Sequence, residues 1–320
     1  MNSPASPILP GDTFEPATVP TMYFVGVTTH QSAINRVFPR WAEKLGLDGV
    51  LRGMNFALHD DPEHYRRAVD FIKADPQSLG ALVTTHKMDL FSASQKLFDH
   101  IAPGATILAE VSSIYKRDGE LRGRAVDDEN GGLSLDAIIP RDYWAQTGAD
   151  LLLLGAGGSS VALTMHLMER ANPDHRPQRI LVTNRSQPRL AHMEQVHKAI
   201  NPGIAVEYFH CPTAPDNDAV AARLKPGSII VNATGLGKDA PGSPLTDAAI
   251  WPGDAIAWDF NYRGDLVFLD QARAASVRAE DGWIFFLHGW TRVMADVFDL
   301  DIPTAGPVFD ALSEIAAEER

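Results

Sequence analysis

Residues 151–160 read LLLLGAGGSS, a run of leucines followed directly by small residues. An unbroken apolar run is typical of a parallel strand that is buried on both faces of a sheet. Glycines after such a strand allow a tight turn, a close approach of the backbone to a pyrophosphate, and exposed N–H groups at the start of the next helix. The stretch therefore predicts a strand over Leu151–Leu154 and a helix from about Ser159. The dinucleotide-binding turn between them would consist of Gly155, Ala156, Gly157, Gly158 and Ser159, the alternative being a glycine-rich turn that binds no ligand.

Strand and helix patterns alternate on both sides of this turn. Downstream, apolar runs predict strands at Ile180–Thr183, Ala205–Phe209, Ser228–Asn232, Ala255–Phe260 and Trp283–Leu287, and then a helix over Trp290–Phe298. Upstream, strands are expected at Tyr23–Val27, Met54–Leu58 and Gly80–Thr84, and Asp118-Gly119 is a hairpin-turn signal. Strands that alternate with helices predict an α/β protein with parallel sheets.

The pattern restarts in the second half, which predicts two domains with a cleft between them. An N-terminal α/β domain over residues 22–134 would bind substrate, and a Rossmann-type doubly wound domain over residues 135–288 would bind the dinucleotide. Residues 1–21 contain five prolines before Thr21 and predict an arm that is disordered or lies on the surface. Residues 289–320 are expected to supply a C-terminal helix that packs back on the first domain.

Composition excludes several classes of protein. The 320 residues include 28 basic and 41 acidic ones, a net charge of −13, which argues against a nucleic-acid partner and against binding to anionic membranes. No apolar run approaches the ~18 residues of a membrane span. Cys211 is the only cysteine and the histidines lack ligand spacing, so neither a disulfide nor a metal site is expected. The first 20 residues resemble no targeting peptide, which predicts a cytoplasmic protein.

The end of the next strand indicates which dinucleotide binds. An NAD site usually has Asp or Glu there, as an acceptor for the ribose 2′-hydroxyl. Here the strand ends in Asn184, Arg185 and Ser186, so no carboxylate repels a 2′-phosphate and the arginine can pair with one. We therefore predict NADP, with NAD possible, and assign these three residues to the cofactor. The alternative is a solvated loop arginine.

With these motifs the chain resembles the shikimate/quinate dehydrogenase family over about residues 22–300. Further segments carry the resemblance: GALVTTHK at 80–87, GRAVD at 123–127, VNATGLG at 231–237, DFNY at 259–262 and Asp281-Gly282. Each segment is short, and only their combination in this order is specific.

The resemblance implies an NADP-dependent dehydrogenase of the kind that serves chorismate and aromatic amino-acid biosynthesis or quinate metabolism. Its reaction would be reversible hydride transfer between nicotinamide and an alicyclic hydroxy acid, in a monomer or homodimer. Lys87 and Asp127 would be the catalytic pair, although a helix-start lysine and a solvated acidic turn are the alternatives. Substrate contacts are implied for Ser32, Thr84, Ser112, Tyr262 and His288, and further cofactor contacts for Asn232, Thr234 and Gly235.

Several polar positions of the family are replaced in this chain. Ile34 stands for a serine, Leu82 and Ala125 for asparagines, and Gly289 for a glutamine. If the first three of these residues line the substrate pocket, a ring acid with fewer or different substituents should be preferred to shikimate, because each lost buried hydrogen bond costs about 1–3 kcal/mol. The replacements also leave open a retired, nucleotide-binding sensor or regulator of the same fold. A folate-type or amino-acid dehydrogenase is a third reading, which the Lys87 and Asp127 segments disfavour.

Overall fold

A computed structural model of the protein describes residues 6–200, 203–238 and 240–320. The chain divides into two compact units. The first consists of the described residues up to Val126 together with Gly289–Arg320, and the second of the described residues in Asp127–His288.

A mixed six-stranded sheet forms the centre of the first unit. Its strands are β1 (Thr21–Gly26), β2 (Val50–Asn55), β3 (Ser78–Val83), β4 (His100–Ile101), β5 (Ser113–Arg117) and β6 (Glu120–Arg124), in the order β2-β1-β3-β5-β6-β4. β1 pairs in parallel with β2 and β3, whereas β5 is antiparallel to both β3 and β6. The predicted hairpin turn is confirmed: Asp118 and Gly119 have φ of 53° and 79°, the left-handed values that a two-residue hairpin of this type needs.

The helices before β5 in the first unit are α1 (Ile34–Leu45), α2 (Pro62–Ala74), α3 (Lys87–Ser94) and α4 (Pro103–Leu108). The buried side of α1 carries Ile34, Val37, Phe38 and Trp41, the stripe that its periodicity predicts. α1 is a single helix that contains Pro39. The side chain of Asp61 caps α2 by accepting a hydrogen bond from the Glu63 N–H.

The second unit contains a sheet of six parallel strands. They are β7 (Leu151–Leu154), β8 (Arg179–Asn184), β9 (Ala205–His210), β10 (Ile229–Asn232), β11 (Ile256–Asp259) and β12 (Arg278–Glu280). Their order is β12-β11-β10-β7-β8-β9, so the winding reverses between β7 and β10, as in a doubly wound dinucleotide-binding fold. The four leucines of β7 have no exposed surface. The predicted α/β fold with a Rossmann-type second sheet is confirmed.

The helices that begin in this unit are α5 (Asp127–Ile138), α6 (Tyr143–Thr147), α7 (Gly158–Glu169), α8 (Gln187–Ile200), α9 (Ala214–Ala221), α10 (Val267–Ala274) and α11 (Trp283–Phe298). The strand expected at Trp283–Leu287 is wrong, because these residues form the first turns of α11 and the sixth strand is β12. The run WIFFL has high β propensity. Its buried residues nevertheless recur at helical spacing, at Trp283, Phe286, Leu287 and Trp290.

The two ends of the chain pack on the first unit. Near the N-terminus, Ile8 bridges to β2 through hydrogen bonds with Gly53 and Asn55, and Phe14 packs against Phe71. Part of the predicted arm, residues 1–5, lies outside the described residues. At the other end, the last helix is α12 (Pro307–Ala317), and the carbonyl of Leu312 accepts a hydrogen bond from the Trp41 indole at 2.8 Å. Within the described ranges, no helix is long and apolar enough to cross a membrane.

Candidate functional site

The turn between β7 and α7 requires glycine at its first position. Gly155 has a φ of +111°, which side-chain-bearing residues rarely adopt, and a Cβ there would lie 2.8 Å from the carbonyl oxygen of Ala233. Ser160, the third position of the glycine pattern, is buried and donates from Oγ to the carbonyl of Gly155 at 2.7 Å. The turn therefore lies against the loop after β10, at the point where the winding of the sheet reverses.

Gly157 is a glycine for a different reason. Its φ of −89° suits any residue, and a Cβ built on it would have one neighbour within 4 Å, an Arg189 guanidinium nitrogen at 4.0 Å. No side chain caps the first turn of α7, which Gly157 precedes. The protein itself therefore does not demand glycine here, whereas a pyrophosphate approaching the helix N-terminus would. This open turn fits a dinucleotide.

The Arg189 side chain lies beside this turn, near the loop that follows β8. Asn184 ends β8, Arg185 is exposed in the following loop, and Ser186 is half-buried. The loop is held by its backbone, since the carbonyls of Asn184 and Arg185 accept hydrogen bonds from Cys211 N–H and His210 Nε2. Sequence reasoning did not assign Arg189 to the site. The sequence could have indicated this residue, because Arg189 occupies the first turn of the helix that follows Ser186 and so lies close to the end of β8.

The loop after β10 is organised by Asn232, which has no exposed surface. Its Nδ2 donates to the Leu236 carbonyl at 3.2 Å and to Asp259 at 2.9 Å, and its Oδ1 accepts from the N–H and hydroxyl of Thr234. Both ends of the amide are therefore engaged within the protein. Asn232 shapes the loop that carries Thr234 and Gly235, and Gly235 has a φ of +78°.

Asp259 closes this network at the end of β11. Burial raises its pKa to about 6, although hydrogen bonds from the Asn261 N–H and the Asn232 amide favour the ionised form. Tyr262 follows, with its ring 5.3 Å from that of Trp283 and 4.8 Å from that of Phe286. His288, the last residue of the unit, is buried.

Asp127 is the first residue of α5 and is only 3% exposed. The hydroxyl of Ser159, in the first turn of α7, donates to Asp127 Oδ2 at 3.1 Å. The proposed catalytic carboxylate therefore lies next to the glycine turn within the second unit.

In the first unit, the predicted site residues lie at the same end of neighbouring strands. Thr84 follows β3 and donates from its N–H and its hydroxyl to the Val25 carbonyl, while the Ser112 carbonyl accepts from the Val83 N–H at 2.9 Å. Ser112 Oγ accepts a further bond from the Val126 N–H. Lys87 is the half-buried first residue of α3.

Ser32 belongs to the loop after β1, at the same end of the strands, and is buried. This loop is fixed by Thr29, whose N–H and hydroxyl both donate to the side chain of Asn55. Ser32, Thr84, Lys87 and Ser112 therefore gather where β1 and β3 end and β5 begins.

The replaced polar positions are more buried than expected. Ile34 has no exposed surface and belongs to the apolar face of α1, so the expectation that it lines a pocket is wrong. Leu82 and Ala125 keep 6% and 7% exposure. Among the described residues, no group of three or more His, Cys, Asp or Glu side chains could hold a metal ion.

Comparison with known proteins gives a consistent result. No family model matches the chain. The shikimate dehydrogenase (NADP(+)) of Methylocella silvestris is 25% identical over 273 residues, which cover 85% of this chain and 88% of the relative. The enzyme of the same name from Methylobacterium radiotolerans is 27% identical over 251 residues, covering 75% of this chain and 82% of the relative.

Solved structures agree with these relatives. Shikimate dehydrogenase from Aquifex aeolicus aligns with a TM-score of 0.72 and 20% identity, covering 95% of this chain and 99% of that one. Quinate dehydrogenase from Corynebacterium glutamicum, in complex with NAD, aligns with a TM-score of 0.72 and 19% identity, covering 94% and 99%. At these identities the likeness concerns the fold. The sequence relatives and the solved structures together show that this chain is similar to shikimate and quinate dehydrogenases.

Proposed function

We propose that this shikimate dehydrogenase-like protein is an NADP-dependent dehydrogenase that oxidises and re-forms a ring hydroxyl of an alicyclic hydroxy acid. One observation carries the proposal. The open turn at Gly157 lies next to Arg189, and the end of β8 bears Arg185 and no carboxylate. A doubly wound sheet with such a turn at its switch point is suited to a dinucleotide, and the arginines favour one with a 2′-phosphate.

In this proposal the cofactor is held by three loops of the second unit. The turn of Gly155, Ala156, Gly157, Gly158 and Ser159 would receive the pyrophosphate. Asn184, Arg185 and Ser186 would receive the adenosine ribose and its phosphate, with Arg189 beside them. The loop shaped by Asn232, with Thr234 and Gly235, would lie beside the nicotinamide. A nicotinamide held by these loops would supply the hydride acceptor for oxidation of the substrate and the hydride donor for the reverse reaction.

Lys87 and Asp127 supply the acid–base chemistry, as the family resemblance implies. When the ring C–H loses its hydride, the O–H bond must release a proton as the carbonyl forms. We assign that proton to the Lys87 amine, which returns it in the reverse reaction. Asp127 is assigned to assist, by accepting a hydrogen bond from a substrate hydroxyl.

The substrate belongs to the class of shikimate, quinate and related ring acids. Curated relatives are named shikimate dehydrogenase and one solved neighbour is a quinate dehydrogenase. Contacts are proposed for Ser32, Thr84, Ser112, Tyr262 and His288. Because Leu82 and Ala125 replace amides of the family, we propose that shikimate itself is a weaker substrate than a ring acid with fewer or different substituents.

We further propose a cytoplasmic monomer or homodimer that draws on the cellular NADP pool. Sedimentation of the purified chain at several concentrations measures its oligomeric state. A mass of about 35 or 70 kDa is expected, from the chain mass of 34.8 kDa.

A substrate panel tests the proposed function. The purified chain is mixed with NADP⁺, and in parallel with NAD⁺, and with shikimate, quinate, aminoshikimate and an open-chain hydroxy acid. We expect reduced NADP with at least one ring acid, less with NAD⁺, and none with the open-chain acid. Binding of NADP⁺ without reduction by any compound would contradict a dehydrogenase.

A further inference from the structure

Two helices of the second unit bring a serine of the glycine turn to the proposed catalytic carboxylate. Ser159 is the second residue of α7, and its Oγ donates to Asp127 Oδ2 at 3.1 Å. Asp127 is 3% exposed, so few water molecules can take over this bond if it is lost. The contact joins the first turn of α7 to the first turn of α5.

Glycines in α5 keep these helices close together. A Cβ on Gly131 would lie 3.4 Å from the Leu163 side chain of α7, and one on Gly132 would overlap the His166 ring at 2.1 Å. At Gly132 the His166 ring of α7 occupies the space that a side chain would need, so α7 packs directly on the backbone of α5. Ser159 and Asp127 both belong to helices, so the distance between them is set by helix packing and not by a flexible loop. Removing the Ser159 hydroxyl should therefore remove the bond without moving either backbone.

The Ser159 hydroxyl is not required for binding the cofactor. The backbone N–H groups of the first turn of α7 are those that would bind a pyrophosphate, and an alanine at position 159 would present the same groups. What an alanine lacks is the donor to Asp127. This separation means that cofactor affinity and carboxylate orientation can be measured independently.

We propose that Ser159 is a positioning residue, which holds the Asp127 carboxylate in the orientation that proton transfer requires. The inference rests on the proposed function and deepens it. A dinucleotide bound at the first turn of α7 and the carboxylate beside the substrate would be fixed by the same short segment.

Two variants of Ser159 test the inference. Ser159→Ala should lower kcat roughly tenfold, the usual effect of one hydrogen bond to a charged group, while the dissociation constant of NADP⁺ changes less than about twofold. Ser159→Thr keeps the hydroxyl and should restore most of kcat. Ser134→Ala is the matched control, because it removes another buried serine hydroxyl of α5, one that bonds to the Asn130 carbonyl, and should leave kcat unchanged.

A double-variant cycle gives the decisive readout. In an Asp127→Asn background, Ser159→Ala should cause little further loss of kcat, because its effect is transmitted through the carboxylate. Equal losses in both backgrounds, or an NADP⁺ affinity that falls together with kcat, would overturn the inference in favour of a role in the cofactor turn. An unchanged kcat in Ser159→Ala, with an active wild type, would overturn the inference alone. A wild type that reduces NADP⁺ with no ring acid would overturn the proposed function and the inference with it.

Discussion

Arg185 is exposed in the loop after β8 and offers the most direct test of cofactor choice. We expect Arg185→Ala to weaken NADP⁺ binding roughly 10- to 100-fold, the value of charge-assisted hydrogen bonds to a phosphate. NAD⁺ lacks that phosphate, so its dissociation constant should stay nearly constant. Calorimetric titration of both cofactors measures the two constants. Arg273→Ala, at an exposed arginine of α10 paired with Asp270, is the control and should alter neither. Equal weakening of both cofactors by Arg185→Ala would mean that Arg185 does not contact the 2′-phosphate.

Lys87 is the residue on which the proposed proton transfer depends. Lys87→Ala should reduce kcat by roughly 10²- to 10⁴-fold, the usual contribution of a positioned acid–base group. NADP⁺ affinity should change little, because the proposed cofactor residues belong to the second unit. Lys96→Ala removes an exposed lysine of the first unit and should keep full activity. Steady-state kinetics with the best ring acid gives these values, and turnover that survives in Lys87→Ala would refute the assignment.

Individual side chains differ in how well the sequence alone predicts their surroundings. Gly155 follows a buried strand, and its strained φ is what a strand-to-helix turn requires. Asn232 was assigned to the cofactor, but both ends of its amide are engaged within the protein. Ile34 was expected in a pocket and is in the core. A motif indicates which residues are close to a site, whereas side-chain partners depend on neighbours that are distant in the sequence.

The β7–α7 turn provides a matched pair of glycine variants. Gly157→Ala should leave thermal stability unchanged and weaken NADP⁺ roughly tenfold or more, because the added methyl group meets open space in the free protein and the pyrophosphate in the complex. Gly155→Ala should instead destabilise the second unit by about 1–3 kcal/mol or more, since it combines a positive φ with a contact to the Ala233 carbonyl. Thermal melts and cofactor titrations separate the two effects. Destabilisation of Gly157→Ala equal to that of Gly155→Ala would contradict a turn built for a ligand.

A buried histidine connects α7, α8 and β9 and predicts a pH dependence of stability. His197 lies between the Thr164 hydroxyl, 2.7 Å from Nε2, and the Tyr208 hydroxyl, which contacts Nδ1. The Thr164 hydroxyl donates to backbone carbonyls, so a neutral ring with its proton on Nε2 satisfies both contacts. Burial lowers the pKa of His197 from 6.5 to about 4.

Between these two pKa values the unfolded chain binds a proton that the folded chain does not. The folded state should therefore lose stability as pH falls from 6.5 towards 4, by on the order of 3 kcal/mol. Denaturant unfolding across this range measures the loss, which should be smaller in His197→Gln. The same pH slope in both proteins would show that His197 does not cause it.

Regular elements were easier to predict than single side chains. Apolar runs predicted β7, β8, β10 and β11, whose residues are mostly buried, as the four leucines of β7 are. The strand predicted at Trp283–Leu287 failed because aromatic residues favour strands locally, while their burial follows the helical period of α11. The helix α5 was not expected, since Asp127, Asp128, Glu129 and two glycines begin a segment with little apolar periodicity.

The molecule as a whole combines two α/β units whose proposed contributions differ. The first carries Lys87 at one end of the strands of a mixed sheet, and the second carries the dinucleotide turn at the switch point of a parallel sheet. The fold class followed from the repeated strand–helix pattern, because each half must bury its own sheet. The net charge of −13 gave no indication that the protein binds an anionic cofactor. Net charge describes the whole chain, whereas cofactor binding depends on a few arginines near the turn.

Transfer of deuterium tests the proposed hydride transfer most directly. The best ring acid of the panel is labelled with deuterium at its carbinol carbon and incubated with the protein and NADP⁺, and the reduced cofactor is analysed by mass spectrometry. We expect the reduced nicotinamide to carry the deuterium of the substrate, and this transfer to be strongly slowed in Lys87→Ala. Reduced cofactor without deuterium, or no reduced cofactor with any ring acid while NADP⁺ binds, would contradict the proposed hydride transfer.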